Sequence, residues 1–88
     1  MMGVDFSGAR LEGATIQNAD LTFARFVGAN LKGAKLVALD LTNADLSNAD
    51  FTDADISGSN FKGARLEGSR GLETARGRER TSNLQLPK

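Results

Sequence analysis

A large apolar residue falls on every fifth position from Phe6 to Leu66, and no other feature constrains the fold of this chain as tightly. The series reads Phe6, Leu11, Ile16, Leu21, Phe26, Leu31, Leu36, Leu41, Leu46, Phe51, Ile56, Phe61 and Leu66. Two places before each sits a small residue, nearly always alanine; Val4, Leu39 and Ser59 are the exceptions. A period of five suits no ordinary element. A helix advances about 100° per residue, so every fifth side chain would wander around its surface. A strand alternates with period two, so an odd repeat would throw the apolar set from one face to the other. The pattern closes only if each pentapeptide is a short extended segment followed by a corner.

The corner can be read directly. Two places after each large residue come Gly8, Gly13, Asn18, Phe23, Gly28, Gly33, Ala38, Asn43, Asn48, Asp53, Gly58, Gly63 and Gly68. Eleven of these thirteen are Gly, Asn or Asp, the types that tolerate a positive φ. Regular turns with inward apolar residues make a solenoid.

Three repeats, Ala19-Asp20-Leu21-Thr22-Phe23, Ala29-Asn30-Leu31-Lys32-Gly33 and Ala44-Asp45-Leu46-Ser47-Asn48, carry the A(D/N)LxX signature, and the chain resembles the pentapeptide-repeat family. The resemblance covers about three-quarters of the sequence. It implies an all-β fold, a right-handed quadrilateral β-helix with four pentapeptides per coil and both the large and the small residue pointing inward. Twenty residues per coil then stack Phe6, Phe26, Leu46 and Leu66 on one face and Leu11, Leu31 and Phe51 on the next. Ile16, Leu36 and Ile56 line the third face, and Leu21, Leu41 and Phe61 the fourth. Thirteen repeats make a little over three coils.

After Gly68 the pattern fails. Gly71 occupies the slot of the next large residue and Leu72 comes one place late. The expected organisation is therefore a β-helix over residues 1–69 and a cap with a flexible basic tail over 70–88. Leu72 to Arg76 suits a short helical turn that lays Leu72 over the last coil. Disorder is expected beyond Gly77, with Pro87 ending any structure. Residues 1–69 hold six Lys/Arg against nine Asp/Glu, whereas 70–88 hold five against two.

The residue inventory speaks against catalysis. There is no His, Cys or Tyr, hence no usual general base, nucleophile, disulfide or zinc ligand, and no cofactor is expected. Eleven basic and eleven acidic residues cancel, which argues against a dedicated nucleic-acid binder. No apolar run approaches the roughly 18–20 residues of a membrane span, and Met1–Phe6 is unlike a signal peptide, so a cytoplasmic protein is expected. Asp20, Asp40, Asp45, Asp50 and Asp55 share one repeat position and read as outward, solvated residues.

What remains is surface. Phe23 and Ala38 break the corner rule, Phe23 with Val27 nearby and Ala38 beside Val37, and the altered corner at Ala38 is expected to make room for Leu39. Phe23, Val27 and Val37, with an acidic belt of Asp40, Asp45 and Asp50, are the candidate contact residues. The expected role is a non-enzymatic structural or protein-interaction module whose partner is another protein. Bare coil ends, with unpaired strand edges, favour an end-to-end homodimer. The family resemblance offers another reading, a DNA mimic that binds type II topoisomerases and confers quinolone resistance, against which the short length and zero net charge weigh. A third is an accessory piece of a longer repeat protein, motivated by the abrupt start at Val4.

Overall fold

A computed structural model describes residues 3–84. The backbone pairs with itself at a spacing of twenty residues, always in parallel. Asp5 bridges Arg25, Arg25 bridges Asp45 and Asp45 bridges Arg65; the series starting at Arg10, Thr15 and Asp20 run alongside it. Bridges that recur every five residues along the chain and every twenty between partners define four ladders, one per face of a square solenoid. Among the described residues only the segments Thr15–Gln17 (β1) and Lys35–Val37 (β2) are long enough to form strands, and they pair in register, Ile16 opposite Leu36.

The corners explain the period. At Phe6–Ala9, for example, the Ala9 N–H donates to the Phe6 carbonyl at 3.0 Å, and Gly8 between them has φ 72°. A four-residue turn closed by this bond with a positive φ at its third residue is type II. All thirteen corner residues have positive φ, including the two that break the composition rule, Phe23 at 63° and Ala38 at 57°. Ala38 thus keeps the positive φ of an ordinary corner, and what differs beside Leu39 is the turn bond.

Leu39 is accommodated by Ser59 instead. Among the described residues, the turn bond is missing at Ile16–Ala19 and at Leu36–Leu39, one above the other in adjacent coils. At the second of these, the fully buried Ser59 hydroxyl donates to the Leu36 carbonyl at 2.7 Å and accepts from the Leu39 N–H at 3.1 Å. The hydroxyl bridges the two backbone groups that a closed turn would have joined directly. That lets the corner open around a leucine whose side chain is 2% exposed.

The inward residues stack as the repeat predicts. From Leu21 to Leu66 every large residue is buried, and the rings of Phe6 and Phe26 stack with centroids 5.2 Å apart. Phe6, Leu11 and Ile16, in the first coil, are only half-buried because no coil lies above them among the described residues.

The ladders run past Gly68, contrary to the sequence expectation. Asp50 bridges Arg70, Asp55 bridges Arg76 and Asn60 bridges Ser82, at intervals of 20, 21 and 22 residues. Each of two 3-10 turns, Leu72–Thr74 and Arg78–Arg80, therefore adds one residue to its repeat. Gly71 cannot fill the core slot, and with φ 82° a Cβ there would lie 2.6 Å from the Thr52 Cα. The extra residue brings Leu72 into the core instead, 2% exposed, as the sequence suggests for Leu72. Residues 78–84 thus take part in the body, because backbone hydrogen bonds to Gly58 and Phe61 hold a segment with little to bury. The expectation for Pro87 and the last residues falls outside the described residues.

Candidate functional site

The outward residues next to each large residue form the ladders, so charges twenty apart are vertical neighbours. One ladder reads Asp5, Arg25, Asp45, Arg65, alternating in sign along its length. The second ends Asn30, Asp50, Arg70 and the third Lys35, Asp55, Arg76. Only on the fourth do two carboxylates, Asp20 and Asp40, stand together, followed by Asn60 and Ser82. The acidic belt expected through Asp40, Asp45 and Asp50 is thus offset by basic residues from adjacent coils at Asp45 and Asp50 but not at Asp40.

Nor are these carboxylates free in solvent. Each reaches two residues forward to its own repeat: Asp45 Oδ1 accepts from the Ser47 hydroxyl at 2.7 Å and from its N–H at 3.1 Å, and Asp20, Asp40, Asp50 and Asp55 do the same with Thr22, Thr42, Thr52 and Ser57. This is the Asx-turn bond. Asp50 departs furthest from the expected solvated state, being 8% exposed, with Lys32 Nζ at 3.7 Å and Arg70 at 3.9 Å from its Oδ2.

At Asp20, Asp45, Asp50 and Asp55 those bonds lower the carboxyl pKa. The Ser47 hydroxyl does so for Asp45, with Arg65 and Arg25 adding to it, and the Ser57 hydroxyl for Asp55, with Arg76 and Lys35. Ser7 lowers Asp5 and Thr22 lowers Asp20 in the same way. Burial pushes Asp50 up, but the Thr52 hydrogen bonds, Lys32 and Arg70 outweigh it. A carboxyl whose folded pKa lies below its unfolded value stabilises the fold above the unfolded pKa, and that contribution disappears as pH falls through the folded one. The thermal midpoint should therefore be flat from about pH 7 to about pH 5 and fall below about pH 4. A midpoint unchanged down to about pH 2.5 would contradict this.

Phe23 is the exposed large apolar side chain of the described body, at 56%. It forms one wall of a shallow open groove lined by Arg25, Asn43, Asp45, Gly63 and Arg65, which is the alternating ladder on one side and a column of corners on the other. Val27, on the same coil, is half-buried, as is Val37, which lies two ladders away and does not join the groove. Asp40 and Asp50 also lie on other ladders, so of the proposed contact residues the structure brings only Phe23 and Asp45 to the groove. Arg25, Asn43, Gly63 and Arg65 were missed, although comparison at a spacing of twenty would have found them. Among the described residues no group of three or more His, Cys, Asp or Glu is placed to hold a metal ion, and no helix is long and apolar enough to cross a membrane.

The architecture has close counterparts. HetL of the cyanobacterium Nostoc, a pentapeptide repeat protein involved in heterocyst differentiation regulation, matches at 33% identity with a TM-score of 0.80, over 84% of this chain and 34% of HetL. A pentapeptide repeat protein of the Arabidopsis thaliana thylakoid lumen matches at 38% identity and TM-score 0.50, over 83% of this chain and 54% of that one. Rfr23 of the cyanobacterium Cyanothece matches at 30% identity and TM-score 0.54, over 82% and 52%. The chain thus spans between about a third and about half of these structures. A search of curated protein sequences finds no match. A family profile described as pentapeptide repeats (8 copies) matches residues 1–37 and 34–70. With that profile covering most of the sequence, and a twenty-residue ladder beneath it, the chain belongs to the pentapeptide repeat family.

Proposed function

We propose that this chain is a non-enzymatic protein-interaction module that receives a partner protein in the groove beside Phe23. The observation that carries this reading is Phe23 itself. A bulky residue held at φ 63° costs on the order of 1–3 kcal/mol, and a ring that is 56% exposed recovers little of that by burial in its own fold. Asn43, in the corner directly below, holds the same turn with a residue suited to it. An aromatic group on a rigid corner is the kind of anchor that dominates protein interfaces. Arg25 and Arg65 stand beside it with charges partly committed to Asp45, which suits polar contacts at a rim.

The residue inventory supports the non-enzymatic half of the reading: the sequence lacks His, Cys and Tyr, and its aspartates repeat one hydrogen-bonded environment rather than two contrasting ones. Mimicry of DNA toward a topoisomerase fits less well. It calls for a continuous negative stripe, whereas three ladders mix both signs.

Benzoylphenylalanine placed at position 23 should photo-crosslink one defined protein in cells of the source organism, and the same group at the Asp53 corner should not. Phe23→Asn should abolish competition for that protein while leaving the chain at least as stable, by up to about 1 kcal/mol, since the strain is relieved. Equal labelling from both corners would refute the groove.

A further inference from the structure

We infer that the occupant of the groove is a second copy of this chain, laid against the same face with its axis reversed. This rests on the groove being a docking surface, and it names the protein that docks there.

The ladder Asp5, Arg25, Asp45, Arg65 alternates in sign at one-coil intervals. Asp5, Arg25 and Arg65 are exposed and Asp45 is half-buried, and among the described residues no ion pair within 4 Å joins any of the four. Reversed, the same ladder presents the opposite sign at every level. A two-fold axis across the face, midway between Arg25 and Asp45, therefore sets Asp5 against Arg65 and Arg25 against Asp45, each pair occurring twice. Every ladder charge on both copies then has a partner. Other registers do worse. With axes parallel and level, each residue meets its own copy, and a one-coil slip pairs only three charges of each ladder. With axes reversed but slipped by one coil, Asp5 meets Asp45 and Arg25 meets Arg25. Like charges so opposed disfavour the contact.

Phe23 selects the same arrangement. A two-fold axis running along the strands keeps each column of corners on its own side, so the column of Phe23, Asn43 and Gly63 meets itself. Phe23 of one copy lies opposite Asn43 of the other, and the two rings stand about one coil, ~4.8 Å, apart along the axis. Aromatic pairs adopt centroid separations of about 4.5–7 Å. Each ring thereby enters the groove that Asn43, Asp45, Gly63 and Arg65 line in the other copy, where Gly63 has no side chain to obstruct it. The burial offsets the strain of a bulky residue at a positive φ, which the single copy leaves exposed. With axes parallel the two rings would lie at opposite edges of the contact.

Neighbouring charges do not oppose this register. Glu67, on the next corner, comes opposite Ser7, and Val27 comes opposite Ser47; Lys62, on the preceding corner, stands on the side of Asp5. The α-amino group acts on Asp20, which belongs to the fourth ladder. The other ladders are less suited. Reversed on itself, the second sets Arg10 against Arg70, the fourth makes no ion pair, and the third pairs only Lys35 with Asp55. The face is lateral, so the pairing of Asp5 with Arg65 does not require either coil to be terminal. With Cα extents of 27 × 26 × 23 Å, one face of the described body offers no more than about 600 Å² per copy, below the roughly 800 Å² of a standard interface, so the dimer is weak.

Sedimentation equilibrium on the full chain, up to about 1 mM in about 0.02 M salt, tests this. The mean mass should rise toward twice that of the monomer and no further, because an isologous contact closes on itself. Arg25→Asp with Arg65→Asp makes the ladder wholly acidic, and Asp5→Arg with Asp45→Arg makes it wholly basic. Each of these chains should stay monomeric, and an equimolar mixture should form a one-to-one dimer; far-UV circular dichroism checks that both are folded. Should either not fold, Phe23→Asn decides, and it should weaken the dimer at least about tenfold. Benzoylphenylalanine at position 23 of the purified chain should crosslink to residues 43–65 of an isotope-labelled second copy. A monomer at every concentration, growth past the dimer, folded charge variants that fail to combine, or a Phe23→Asn chain that pairs as well as the parent would each overturn self-association. A groove that takes a different protein gives another result: position 23 alone labels that protein in cells while the pure chain stays monomeric.

Discussion

Phe51→Ala should lower the unfolding free energy by about 3–5 kcal/mol, toward the upper end of that range. Phe51 is 0% exposed and sits in the third coil, with Leu31 in its stack above and Leu72 brought into the core in the coil below. The walls cannot close in. The Phe51 N–H donates to the Arg70 carbonyl at 2.7 Å and the Ala54 N–H to the Phe51 carbonyl at 2.9 Å, so the backbone on either side is pinned by ladder and turn. A site that cannot collapse keeps its cavity, and the cavity term then adds to the lost transfer energy. Small domains commonly have 5–15 kcal/mol in total, so a large part of the protein would unfold at moderate temperature. Chemical denaturation monitored by circular dichroism measures the change. A loss below about 1 kcal/mol would mean that the coils close around the gap after all.

Ser59→Ala is the more discriminating test, because the repeat and the structure disagree about it. Alanine is the residue of this slot, and by the repeat alone the substitution should be neutral or favourable. The structure instead predicts a loss of about 1–3 kcal/mol, the cost of leaving buried polar groups unsatisfied. Without the hydroxyl, the Leu39 N–H and the Leu36 carbonyl lose the bridge between them, and this corner, like that at Ile16–Ala19 above it, has no direct turn bond. A Ser59→Ala chain as stable as the parent would show that the bridge contributes nothing.

Both tests turn on how far the repeat can be read. The inward stacks, the positive-φ corners and the absence of a conventional sheet were legible because each rests on a local rule applied thirteen times. The end of the body was not. Sequence phase breaks at Gly71, but the backbone needs only hydrogen-bond partners and a way to absorb an extra residue, and two 3-10 turns provide it. The aspartates were legible only in part for a related reason, Asp20 being exposed as read and Asp50 buried. Their position in the repeat says that they point outward, but not that a hydroxyl two residues on will hold them, nor that Asp50 will be enclosed by Lys32 and Arg70.

By itself, then, the sequence determined the pentapeptide register, the inward residues and the corners, since these follow from side-chain size and from which residues accept a positive φ. The charge pairing of the faces, the groove beside Phe23 and the bridging role of Ser59 were decided only by tertiary structure. They depend on which residues stand one coil apart, and twenty-residue neighbours acquire a meaning only once the chain has closed its four-sided turn.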